Sequence, residues 1–240
     1  MTKRRVLDVT STKKKDNMRL YDPNNPTLNF FAMPRGLNTY LWSPTARLKD
    51  AGTGTFYETA RTKSTVYWKG VNERLEMSPT NGVSWKWRRI VVEMKSYRLP
   101  ISYEETSAGY VRKWARLPDV DATALAGLVF DGTNELDYNT FFLGKTDSNR
   151  VKVHYDKTRV LSTGNQASYI KTYKQWIPLE KNMIYDEDEV GNTESNQPWA
   201  ATGMKGMGDI FIWDIFTDIG ASVSDTLTLR NSSTVYWHEK

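Results

Sequence analysis

Hydrophobic and polar positions alternate through most of this chain, in long segments rich in β-branched and aromatic residues separated by clusters of Pro, Gly, Asn and Ser. The alternation predicts strands near 4–11, 65–77, 83–96, 109–117, 151–161, 167–178, 208–218 and 225–238. Turn signals stand at "SPTNG" (78–82), "STGNQ" (162–166) and "GASVSD" (220–225). One stretch reads as helical: "PDVDATALAGLVFDG" (118–132) opens on Pro and Asp, carries apolar residues at Leu125, Leu128 and Val129, and stops at Gly132. Residues 20–64, loaded with Pro, Asn, Gly and Thr, read as one long connection of the kind that is functional or contacts a neighbour. Eight strands with long connections and one short helix predict an all-β fold of two packed antiparallel sheets, a sandwich or jelly roll.

The segment "SWKWRRIVVEMK" (84–95) strains that alternation. On a strand Trp85 and Trp87 share one face and Lys86 and Arg88 the other, but Ile90, Val92 and Met94 then fall beside the cations. A β-bulge at Arg88 and Arg89 would restore the parity, placing Trp85, Trp87, Ile90, Val92 and Met94 on a core side and Lys86, Arg88 and Arg89 on a cationic side. Those cations are either an ordinary solvated face or a binding face. The apolar neighbours of Trp85, Trp87, Trp176 and Trp213 place these rings mostly in the core.

At 240 residues the chain can bury a substantial core without staples, and it has no cysteine, which excludes a disulfide scaffold, a thiolate zinc site and a cysteine nucleophile. Its longest apolar run, "ALAGLVF" (124–130), falls far short of a membrane span, so no membrane partner is expected. The net charge of +5 is concentrated: residues 1–19 hold Lys3, Arg4, Arg5, Lys13, Lys14, Lys15 and Arg19 against Asp8 and Asp16, which accounts for all of it. Such a basic segment points to a polyanion, and "KRR" and "KKK" are compatible with nuclear import. The nine Trp, thirteen Tyr and eight Phe exceed what one core needs, so some are expected at interfaces.

Enzymatic motifs fail on inspection. His154 in "VKVHYDK" alternates outward with Lys152 and Asp156, and His238 lies near the carboxyl end, so neither reads as a catalytic base, and there is no G-x-S-x-G. "NTFFLGKT" (139–146) lacks the first glycine of a phosphate loop and fills it with bulky rings. "DEDEVGNTE" (186–194) puts Val190 at a ligand position of the calcium-loop template and Gln197 where the bidentate Glu belongs. No catalytic residue, metal or cofactor is expected. Cations interleaved with aromatics are better represented: Lys86, Arg88 and Arg89, then Arg112, Lys113 and Arg116 around Trp114, then Arg150, Lys152, Lys157 and Arg159.

"RRVLDVTSTKKKDNM" (4–18), "YWKGVNERLEM" (67–77) followed by "GVSWKWRRIVVEMK", and the terminal "YWHEK" (236–240) resemble the capsid proteins of genomoviruses, small circular single-stranded DNA viruses whose coat proteins are similar to those of geminiviruses. The resemblance implies a single jelly-roll domain over residues 1–240 that self-assembles into a small icosahedral shell around single-stranded DNA, in the virion and in the host nucleus during assembly. Family members begin with an arginine-rich arm. This chain runs almost at once into "KRRVLDVTS", so the arm is expected to be absent. The expected DNA contacts are Arg4, Arg5, Lys13, Lys14, Lys15 and Arg19, with Lys86, Arg88 and Arg89 as a second line. Further partners are other copies of the chain and host nuclear-import factors. The acidic loop at 185–194 is expected outside the lumen or at a subunit contact, and residues 20–64 are expected to be ordered by neighbouring subunits. Two other functions fit the same composition: a non-assembling β-sandwich that binds single-stranded nucleic acid, and a tryptophan-rich sandwich that binds carbohydrate.

Overall fold

The computed structural model describes residues 10–50, 58–162, 169–203, 205–220, 222 and 224–240. Most of the strand expected at 4–11 and most of the turn at 162–166 lie outside the described residues. Eight strands carry the fold: β1 Thr12–Tyr21, β2 Asn38–Trp42, β3 Thr65–Pro79, β4 Ser84–Met94, β5 Lys152–Leu161, β6 Lys171–Ile184, β7 Asp209–Ile219 and β8 Thr226–Glu239. They form two antiparallel sheets, ordered β6-β3-β8-β1 and β2-β7-β4-β5. Within them β4 pairs with β5, β3 with β6, β2 with β7 and β1 with β8. A hairpin nested in this way and wrapped into two facing sheets is a jelly roll. The expected fold class is therefore correct; a short strand, Phe31–Pro34, pairs alongside β8, and the strand inventory differs further at two other places.

The first difference is β2. "NTYLW" lies inside the segment read as a connection, yet all five of its residues are buried and pair with β7 from Phe216↔Asn38 to Ile212↔Trp42. Met33, Tyr40, Leu41, Trp42 and Ala46 join the core, so the stretch 38–46 is packed within its own subunit, while residues 23–29 are exposed. The second is 109–117, which is extended but pairs only briefly. Arg112 and Lys113 run parallel to Leu20 and Tyr21 at the end of β1, and the Leu117 amide then donates to Thr39 O at 2.7 Å. The segment thus closes the side of the sandwich between β1 and β2. Helix α1, Asp119–Val129, forms as predicted; Ala122, Leu125, Ala126 and Val129 pack on the outside of the second sheet against Ile90, Val92, Phe211 and Trp213.

That helix explains the parity of 84–95. No bulge occurs at Arg88 and Arg89, because β4 pairs with β7 in unbroken register from Ser84↔Ile219 to Met94↔Asp209. Both faces of β4 are buried instead: Ile90, Val92 and Met94 lie under α1 and the loops around it, while Trp85, Trp87, Arg89 and Val91 point between the sheets. The irregularity falls on β5, where His154 is the extra residue between partners of Val91 and Val92, and its Nε2 lies 3.0 Å from Glu93.

An arginine between two sheets requires compensation, since an unpaired buried charge costs many kcal/mol. Arg89 donates to Asp214 through Nε at 2.7 Å and to Glu73 through a terminal nitrogen, and Arg112 reaches the same two carboxylates at 2.8 and 3.1 Å. All four side chains are fully buried and their charges cancel. Trp87 Nε1 donates to Asp214 and Ser233 Oγ to Glu73, both at 2.8 Å, while Trp42 and Trp114 flank Arg112 at 4.5 and 4.2 Å. Burial would raise the Glu73 and Asp214 carboxyls, yet the two guanidinium groups hold both below the ordinary carboxylate range.

Candidate nucleic-acid interface

β1 alternates strictly: Lys14, Asp16, Met18 and Leu20 point inward, and Lys13, Lys15, Asn17 and Arg19 outward. Cross-strand register carries the outward set over the whole first sheet. Arg19 lies opposite Ser232, which faces Arg74, which faces Lys174. The next row is Asn17, Thr234, Asn72 and Trp176, and beyond it stand Lys15 with Tyr236 and Lys13 with His238. With strands about 4.8 Å apart, the Arg19–Arg74–Lys174 row spans roughly 14 Å. The outward side chains of this sheet include seven cations, Lys13, Lys15, Arg19, Lys69, Arg74, Lys174 and Arg230, against two carboxylates, Glu76 and Glu180. Lys69 pairs with Glu180 at 2.7 Å and Arg230 with Glu76 at 3.1 Å, so five cations stay unbalanced on one sheet face. That face also carries hydroxyls and amides from Asn17, Asn72, Ser232 and Thr234, which can hydrogen-bond phosphate and sugar without reading sequence.

The expected site is thus brought together in part. Lys13, Lys15 and Arg19 are exposed on this face. Arg4 and Arg5 lie outside the described residues. Lys14 is a correction: it turns inward, donating to Ala60 O at 2.8 Å and pairing with Glu239 at 2.9 Å, because strand parity alternates even within a run of three lysines. Replacing Lys14 by Ala should therefore act on stability, by about 2–3 kcal/mol for the buried charged hydrogen bonds it removes, and leave DNA affinity of the folded protein unchanged. Thermal unfolding beside a DNA titration reads both effects.

The second line is corrected too. Arg89 belongs to the buried quartet. Arg88 is buried against Asp156, its Nε 2.9 Å from one carboxylate oxygen, and donates to Phe141 O and Gly144 O at 2.7 and 2.8 Å, tying the 141–144 loop to the sheet. Lys86 is half-buried on the second sheet's outer face, over the Phe142 ring at 4.8 Å. Of the other cations weighed, Lys113, Arg116, Arg150 and Lys152 pair with Glu104, Asp119, Asp147 and Glu93. The acidic loop is partly neutralised beyond the end of β6: Asp186 pairs with Arg98, and the buried Glu187 with Arg61 at 2.6 Å.

Arg74, Lys174 and Trp176 were missed as face residues, although "KTYKQWIPL" carries the signal. Thr172, Lys174 and Trp176 alternate with Tyr173, Gln175 and Ile177. The apolar neighbour Ile177 suggested a core tryptophan, but Trp176 is 47% exposed.

Compared with known proteins, the chain matches no protein family and no curated protein. Among solved structures it aligns with the VP1 proteins of trichodysplasia spinulosa-associated polyomavirus (8% identity, 94% of this chain and 76% of that one, TM-score 0.13) and Merkel cell polyomavirus (9% identity, 95% and 79%, TM-score 0.13). The alignment with unassembled KI polyomavirus VP1 pentamer is of the same kind, at 8% identity over 95% of this chain and 74% of that one, with a TM-score of 0.13. These neighbours are viral capsid proteins, but a likeness this slight carries no argument, and the jelly roll rests on the strand order of the chain itself.

Proposed function

We propose that this chain is the coat subunit of a small virus, assembling with copies of itself into a T=1 icosahedral shell around circular single-stranded DNA. The observation that carries the proposal is the cationic outer face of the first sheet, on a jelly roll in which the arginines Arg89 and Arg112 between the sheets are neutralised by Glu73 and Asp214. The resemblance of its first, central and last strands to genomovirus coat proteins supports the same reading. In the shell this face lines the lumen, where Lys13, Lys15, Arg19, Arg74 and Lys174 meet phosphate, and affinity comes from counterion release. The role is structural and non-enzymatic. Lys13 and Lys15, the exposed members of "KKK", together with "KRR" at 3–5, are what a host import factor would engage before assembly.

Size-exclusion chromatography with negative-stain microscopy tests the proposal. Closed particles that protect single-stranded DNA from nuclease are expected. Monomers at every salt concentration would contradict assembly, and monomers that still bind single strands would establish the non-assembling module in its place.

A further inference from the structure

Trp176 is an anomaly on the cationic face, a large apolar ring left half in solvent on a protein that buries its other eight tryptophans. Its position is held from below. A Cβ on Gly70 would stand 2.5 Å from Cζ2 and 2.7 Å from Cη2 of the indole, so the ring lies directly on the backbone of β3, and only glycine leaves room for it. From the side, Tyr236 meets it edge-on, with centroids 5.8 Å apart and planes at 61°. The ring is therefore held at its six-membered end by β3 and by Tyr236, and its exposure leaves the remaining surface available.

The neighbours of this ring are polar and cationic. Lys174 stands two residues along β6, Arg74 lies opposite Lys174, Asn72 opposite Trp176, and Lys15 opposite Tyr236. Resting on the interface assigned under Proposed function, we infer that Trp176, seated on Gly70 and braced by Tyr236, is a stacking platform for an unpaired nucleobase whose flanking phosphates lie on the Arg74–Lys174 row and on Lys15. A rigid ring loses little rotamer entropy on stacking, and every base offers it a π-face, so the platform is indifferent to sequence. It does discriminate between nucleic acids. In a duplex both faces of each base are already stacked, so the site selects single strands, a preference that phosphate contacts alone cannot supply.

The test compares oligothymidylate with an abasic oligonucleotide of equal length, titrated by fluorescence anisotropy into the full chain. Wild type should prefer oligothymidylate. Trp176→Ala should weaken oligothymidylate about 5- to 150-fold, leave the abasic strand and the salt slope unchanged, and erase the preference, and Trp176→Tyr should restore most of it. Equal affinity of wild type for the two strands, or an equal loss on both in Trp176→Ala, would overturn the platform while leaving the cationic interface standing. Binding of neither strand would overturn both. Trp176-dependent binding of a neutral oligosaccharide, without preference for the base-bearing strand, would make the ring a sugar platform and also overturn the inference.

Discussion

Replacing Arg89 by methionine should lower the free energy of unfolding by about 3–5 kcal/mol, the cost of leaving a buried carboxylate without its partner. Methionine is of similar length and apolar, so little of the loss comes from an empty volume. What remains is Asp214 deprived of two donors and Glu73 of one, in a fully buried space where Arg112 alone faces two negative charges. The direction of the pH response follows from the same contacts. Glu73 and Asp214 are held below the ordinary carboxylate range, so their contribution is complete above their unfolded values near 4 and is lost as pH falls through the folded ones. In the variant burial pushes these carboxyls up with Arg89 no longer there to offset it, so the gap between wild type and Arg89→Met should be full at neutral pH and narrow progressively as pH falls through the carboxylate range. Urea unfolding at several pH values measures it. A loss under about 1 kcal/mol at neutral pH would mean that the quartet does not organise the space between the sheets.

Removing the cationic row should change binding without changing the fold. Replacing Arg19, Arg74 and Lys174 together by Ala removes three phosphate contacts, and the slope of log affinity against log salt for a single strand should become shallower by about 2. Affinity at low salt should fall by two orders of magnitude or more, since each contact also contributes to association. Stability should stay within about 0.5 kcal/mol per site, because all three side chains are exposed. Lys86→Ala is the control: its charge sits on the other sheet over Phe142, and the slope should not move. An unchanged slope in the triple variant, or a changed one in Lys86→Ala, would move the interface elsewhere.

The architecture was legible because strands of this length announce themselves by period-two alternation and by explicit turns such as "SPTNG", and α1 by its Pro-Asp start and glycine stop. Strand β2 was hidden because both its faces are buried, so "NTYLW" shows no alternation, and the surrounding Pro and Asn masked a run of only five residues. The site was legible only in part. In "SWKWRR" the two arginines stood in the interior, since a sequence shows that an arginine is present but not that Glu73 on the preceding strand and Asp214 far along the chain meet Arg89 there. The proposed face arises from single cations on different strands, Arg19, Arg74 and Lys174, of which only Arg19 belongs to a local basic segment. Register alone assembles them.

Electron cryomicroscopy of particles formed by this chain with single-stranded DNA should show a closed shell in which the face bearing Lys15, Arg19, Arg74 and Lys174 lines the lumen, with nucleic-acid density against it and over Trp176. A shell with that face turned outward, or with its density confined to the other sheet, would mean that this face of the jelly roll does not hold the genome.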